Sequence, residues 1–191
     1  AIVATPAIVT SIAYPGLGDP LGLALTVTGL AAWFRKQTWA AMALFAAAGL
    51  CRETMLLVPF GLALWVLWDR RSLRPALPLA VTPLPYIAWV AIVTARIGAA
   101  PDGGSQLGAP FAGMIDGFRL WHLAEYLVAA LVIASIVVVF LRGYPWMKAI
   151  TVVNLAFASV MGTVVWFQWW GFGRVLTIIP VFALVALARP A

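Results

Sequence analysis

Residues 38–68 read TWAAMALFAAAGLCRETMLLVPFGLALWVLW, and their only charged side chains are the adjacent Arg52 and Glu53. The stretch could form one long helix, or two short helices that meet at Arg52-Glu53. Each apolar half is shorter than the roughly 20 residues that a full membrane-spanning helix needs. The distribution of charge on either side of the stretch decides between the two arrangements.

Two short helices would place every dense basic loop on one side of a membrane. That side would carry eight of the 12 Lys and Arg residues: Arg35, Lys36, Arg70, Arg71, Arg74, Arg142, Lys148 and Arg189. The other side would carry Arg52, Arg96, Arg119 and Arg174. This bias agrees with the positive-inside rule. We therefore predict helices over residues 38–50 and 54–68, with Arg52-Glu53 below the outer surface, where ionisable groups usually line a cavity.

The composition excludes several classes of protein. The 191 residues are 64% hydrophobic and 9% charged, whereas soluble domains are about 45–50% apolar and about 25% charged. Disordered chains are poor in apolar residues, so disorder is excluded as well. The net charge of +6 is spread between apolar stretches, and a nucleic-acid partner is not expected. The single cysteine forbids an internal disulfide bond.

The rest of the chain divides at charges, glycines and prolines. Asp19-Pro20 predicts a helix start, with Asp as the N-cap and Pro at the first helical position.

We expect an all-α, polytopic transmembrane bundle of about seven spans, forming one domain over residues 1–191. The chain opens at Ala1 inside an apolar run, so we expect a fragment of a longer protein. The expected segments are a partial helix over 1–14, a turn over 14–18, helices over 19–34, 38–50 and 54–68, a loop over 69–74, a proline-kinked span over 75–97, a loop over 98–110, and spans over 120–141, 146–166 and 174–188.

This topology turns most of the polar chemistry toward one compartment. Arginines there can bind phosphate with two parallel hydrogen bonds. Carboxylates can act as a base or hold a divalent cation. The outward polar residues are Asp19, Glu53, Asp102, Asp116, Glu125, Arg52, Arg96, Arg119, Arg174 and His122, with the aromatic residues Trp166, Phe167, Trp169, Trp170 and Phe172.

Each of these features also has a purely structural interpretation. Asp19 could be only a helix cap, and Arg52 with Glu53 could be a structural ion pair. His122 could be structural, near a helix start. The aromatic segment 166–172 could be an interfacial belt. Arg174, expected at the start of the last span, could extend toward lipid headgroups.

Several short motifs resemble the later part of bacterial GT-C-type membrane glycosyltransferases, relatives of the protein mannosyltransferases that act in cell-surface glycopolymer formation. These motifs, in chain order, are Asp19-Pro-Leu-Gly-Leu-Ala-Leu, Cys51-Arg52-Glu53-Thr54, Pro85-Tyr86-Ile87-Ala88-Trp89, Arg96-Ile97-Gly98 and Trp170-Gly171-Phe172-Gly173-Arg174-Val175-Leu176. The Arg-Glu-Thr motif between two short spans is the strongest match.

The resemblance implies transfer of a sugar from a polyprenyl-phosphate donor on the extracytoplasmic face of the cell membrane. It also implies a catalytic acid in an external loop upstream of Ala1. Substrate-binding residues would be Asp19, Arg52, Glu53, His122 and Arg174. Two other classes stay open: a transporter or lipid flippase, and a non-catalytic membrane subunit. The sequence does not identify the sugar, the acceptor, the need for a divalent cation or the oligomeric state.

Overall fold

The computed structural model describes residues 19–98 and 107–188, and these residues form helices joined by turns. Their only β pairing is an isolated antiparallel bridge between Leu107 and Met161. The predicted all-α fold is therefore confirmed. The described residues fall into two compact units, 19–98 and 107–188. The predicted helix over 1–14, the turn over 14–18, Asp102 and Arg189 lie outside the described residues.

The first unit is built around a pair of packed apolar helices. Phe45 is fully buried, and its ring lies where a side chain on Gly29 would stand. Gly22 makes room for Met55 and Cys51 in the same way. The elements are α1 (Asp19–Phe34), α2 (Thr38–Cys51), a 3₁₀ turn (Glu53–Leu56), α3 (Leu57–Arg70), α4 (Leu77–Ala80) and α5 (Leu84–Ile97).

The predicted break at Arg52-Glu53 is confirmed. Arg52 has an extended backbone (φ −160°, ψ 124°) between the end of α2 and the 3₁₀ turn. Its N–H still donates to the Ala48 carbonyl, and its own carbonyl accepts from Met55 N–H. Both backbone polar groups of Arg52 are therefore paired where the chain changes direction, as buried backbone groups usually are.

The predicted kink in the proline-rich span is also observed. Four prolines lie between Pro75 and Pro85, and residues 81–83 form a turn between α4 and α5. A proline ring clashes with the preceding helical turn and removes one backbone donor. The two helices nevertheless follow each other closely enough to count as one apolar segment, Leu77–Ile97.

The second unit packs short helices around one long one. Its elements are α6 (Ala112–Phe118), α7 (Leu123–Arg142), α8 (Pro145–Ser159), α9 (Thr163–Trp166), α10 (Trp169–Val175) and α11 (Ile178–Leu187). The predicted span over 146–166 ends early, because the chain turns at Val160 and Met161. The segment before α6 contacts that turn through hydrogen bonds from Gly108 N–H to Val160 and from Phe111 N–H to Ser159.

Aromatic rings fill the centre of this unit. Phe172 stacks between Trp121 and Trp166, with ring centroids 5.1 and 5.3 Å away. Trp166 is buried, and its indole N–H donates to the Ala158 carbonyl at 3.1 Å. Trp121 donates to the Trp166 carbonyl at 2.6 Å. For Trp166 and Phe172 the interfacial-belt interpretation is therefore wrong, because both rings belong to the core.

Gly113 is the tightest point of the second unit. A Cβ atom there would collide with the backbone of Met161, Gly162 and Thr163, which cannot rotate away as a flexible side chain can. We expect Gly113→Ala to lower the free energy of unfolding by about 1–3 kcal/mol, the usual cost of overpacking. Thermal unfolding in detergent micelles measures this. Gly108→Ala is the matched control, since its nearest neighbour would be 3.8 Å away, and an equal loss in both variants would contradict the prediction.

Fewer helices than predicted are long enough to cross a membrane. Among the described residues, Leu77–Ile97 and Leu123–Arg142 have 21 and 20 residues and sufficient hydropathy. A third span results if α10 and α11, which meet at 60°, count as one bent segment. The prediction of about seven spans exceeds this number. Breaks at charges, glycines and prolines divide the apolar runs into short helices. One of these helices, α2, has 14 residues and reaches only about 21 Å, against about 30 Å of hydrocarbon.

Candidate functional site

The candidate site contains the buried carboxylate of Asp19. Asp19 is the first residue of α1, and only 1% of it is exposed. Its Oδ1 lies 2.9 Å from a terminal guanidinium nitrogen of Arg52. The interpretation of Asp19 as only a helix cap does not account for this ion pair. The ion pair joins the start of α1 to the break after α2.

Arg52 is held in place from a second direction. Its Nε donates a hydrogen bond to the Thr54 hydroxyl at 3.2 Å. Thr54 is buried, whereas Arg52 is partly exposed. Arg52 has an extended backbone, and its side chain reaches the start of α1, where it pairs with Asp19. The partner of Arg52 in the ion pair is thus Asp19 rather than the neighbouring Glu53.

Glu53 differs from its neighbours in being exposed. It begins the 3₁₀ turn and lies near enough to Tyr86 of α5 for the two side chains to interact electrostatically. Tyr86 belongs to one of the motifs that carry the family resemblance. The break therefore presents one buried acid, one anchored guanidinium and one accessible acid within the same unit.

The energetics of such a site are asymmetric. A buried ion pair contributes little net stability, because removing two charges from water offsets most of their attraction. Losing one partner is costly, since the other charge is then left without compensation. The pair thus ties α1 to the break, while the planar guanidinium keeps a geometry suited to phosphate or carboxylate oxygens.

The other two predicted site residues lie in the second unit. His122 is exposed and occupies the N-cap position of α7. Its backbone N–H donates to Glu125 at 2.9 Å, and the other oxygen of Glu125 accepts from Trp169 N–H at 3.3 Å. Glu125 is itself buried and so connects the first turns of α7 and α10. These contacts support the structural interpretation of the His122 position.

The expected position of Arg174 is wrong. It lies in the last turn of α10 rather than at the start of the last span, and it is half-buried. A cation is favourable at a helix C-terminus, because the free carbonyl groups there carry partial negative charge. The position of Arg174 therefore has a local explanation that does not require a bound anion.

The sequence analysis assigned no individual role to three residues that make contacts here. Thr54 and Tyr86 stand inside the quoted motifs, but nothing local shows that they approach Arg52 and Glu53. Glu125 had a readable signal: an acid three residues after the residue that begins a helix is typical of a capping box. Its second hydrogen bond, to Trp169, depends on tertiary packing.

In residues 19–98 and 107–188, no three His, Cys, Asp or Glu side chains group together, so these residues show no metal-binding cluster. Asp116 is exposed on α6. Comparison of the chain with protein-family models, with curated proteins and with solved structures finds no match.

Proposed function

We propose that this chain is part of a multi-pass membrane glycosyltransferase of the GT-C type, which transfers a sugar from a polyprenyl-phosphate donor on the extracytoplasmic face. In this proposal Arg52 binds the donor phosphate, Asp19 positions Arg52, and Glu53 contacts the sugar or the acceptor. The chain lies in the cell membrane, and the loop over 69–74 faces the cytoplasm.

The observation that carries the proposal is the ion pair between the buried Asp19 and the partly exposed Arg52, beside the accessible Glu53. Charged groups in an apolar helical unit are costly and usually serve a function. Glycosyl transfer from a lipid phosphate requires positive charge at the departing phosphate and a base near the acceptor hydroxyl. An anchored guanidinium next to an exposed carboxylate provides both kinds of group. Asp19 and Arg52 belong to two separate motifs of the family resemblance, and they form an ion pair where α2 ends.

The sharpest test uses Glu53, because this exposed side chain can be changed with little effect on folding. We expect Glu53→Gln to lower the rate of sugar transfer at least about tenfold, equivalent to roughly 1.4 kcal/mol of lost transition-state stabilisation. The melting temperature should stay that of the wild type. The measurement is transfer of radiolabel from a panel of polyprenyl-phosphate hexoses and pentoses, using membranes that contain the full-length protein.

Asp69→Asn is the matched control, because Asp69 is an exposed acid of the same unit at the end of α3. It should leave transfer unchanged. Wild-type turnover in Glu53→Gln would remove Glu53 from the site. Absence of transfer by the wild type from every donor of the panel would overturn the enzyme proposal and favour a transport or assembly role.

A further inference from the structure

A second polar feature of the first unit is a pocket at the far end of α1 from Asp19. The pocket has a volume of about 530 Å³ and lies where α1 ends, α2 begins and α3 ends. Its walls include two cations, two hydroxyl groups and two indole rings: Lys36, Arg70, Thr38, Ser72, Trp33 and Trp65. Nothing in the proposed transfer reaction uses these residues.

The charge around the pocket is strongly positive. Arg35, Arg71 and Arg74 stand beside the two lining cations in the same two turns. The acid in these turns is Asp69, whose carboxylate lies 3.4 Å from Arg70 Nε, with both side chains largely exposed. Exposed pairs of this kind hold their partners weakly. One carboxylate cannot neutralise five cations, so the pocket favours an anion.

The backbone at two of these cations is unusual. Lys36 and Arg71 have φ angles of 61° and 48°, in the left-handed region. Each follows the end of a helix, where this conformation normally belongs to glycine because a side chain makes it costly. Long basic side chains therefore occupy positions at which glycine would fit better. Such strain is typical of positions kept for a function.

Two highly exposed indole rings flank the same turns. Trp39 at the start of α2 is 81% exposed, and Trp68 near the end of α3 is 85% exposed. Tryptophan is enriched where hydrocarbon meets the polar headgroups of a membrane. Their exposure favours a location at headgroup level, where the anion within reach is a lipid phosphate.

We propose that this pocket binds the headgroup phosphate of an anionic phospholipid. Lys36 and Arg70 contact the phosphate oxygens, Thr38 and Ser72 donate hydrogen bonds, and the indole rings contact the glycerol and upper acyl carbons. Basic pockets between helices on the cytoplasmic side bind such headgroups through these interactions. The proposal rests on the membrane location proposed above and is independent of the transferase activity.

The test is a titration of the detergent-purified chain with phosphatidylglycerol, followed by native mass spectrometry. We expect the double variant Lys36→Gln/Arg70→Gln to weaken phosphatidylglycerol binding roughly tenfold or more, since each basic residue near the headgroups contributes substantially to anionic-lipid affinity. Phosphatidylcholine binding should not change. Lys36→Gly alone should also weaken phosphatidylglycerol binding, and because glycine relieves the backbone at this position, this variant keeps its melting temperature and remains informative if the double variant misfolds.

The control is Arg96→Gln/Arg119→Gln, which removes the same charge from exposed residues that do not line the pocket. It should retain wild-type affinity. Wild-type binding by the Lys36 and Arg70 variants, or an equal loss in the control, would overturn the proposal. Displacement of the lipid by inorganic phosphate at constant ionic strength would overturn it in favour of a site for small free anions.

Discussion

Arg52→Met is expected to lower the free energy of unfolding by about 3–5 kcal/mol, the range seen when one partner of a buried ion pair is removed. Methionine keeps a long apolar stem but removes the guanidinium that lies 2.9 Å from Asp19. It also removes the donor to Thr54. Unfolding in detergent, followed by helical circular dichroism against added SDS, measures the change.

Arg96→Met is the control for this prediction, because Arg96 is an exposed arginine of the same unit. Surface substitutions usually change stability by less than about 0.5 kcal/mol. The double variant Asp19→Asn/Arg52→Met should lose clearly less than the sum of the two single losses, because contacting residues are energetically coupled. Additive losses, or a loss in Arg52→Met as small as that in Arg96→Met, would show that the pair does not hold the break.

Glu125→Ala is expected to lower the free energy of unfolding by about 3–4 kcal/mol. The buried carboxylate accepts one hydrogen bond from His122 N–H and one from Trp169 N–H, and each hydrogen bond to a charged group contributes about 1.5–3 kcal/mol. Removing it leaves the first turns of α7 and α10 without a shared acceptor. Measured by hydrogen exchange, the Trp169 amide should exchange faster in the variant than in the wild type, and this increase should be larger than the increase at amides in the middle of α7.

Asp116→Ala is the matched control, since Asp116 is an exposed acid of the same unit. It should be close to neutral. Glu125→Gln retains one acceptor oxygen and should fall between the wild type and Glu125→Ala. An unchanged Trp169 amide in Glu125→Ala would mean that α10 is held by its ring contacts alone.

Each of the two units contains a buried acid, but the two acids have different kinds of partner. In the first unit, an acid and a cation meet at a helix break and leave a second acid accessible. In the second, Glu125 has only backbone partners among its hydrogen bonds, and its contribution is structural. Buried charge alone therefore does not identify a substrate site. The partners of each charge distinguish the two cases.

Local patterns in the sequence were sufficient for the helical class and for most helix ends. Arg52-Glu53 ended α2, the prolines interrupted the segment before Tyr86, and the basic loop after Arg70 separated α3 from α4. Each of these depends on residues within a few positions, through the cost of charge in apolar surroundings or the lost donor of proline. The same local information overestimated the spans, because an apolar run such as that of the 14-residue α2 can be too short to cross a membrane.

Only the tertiary structure decided which residues meet. The pairing of Asp19 with Arg52, the burial of Trp166 and Phe172, and the bond from Trp169 to Glu125 all join distant parts of the chain. Arg174, which was expected at the start of a span, lies in the last turn of α10. Helix position and helix ends follow from local backbone and solvation free energies. Contacts between helices follow from how their surfaces pack, and a single sequence of mostly apolar residues leaves many packings open.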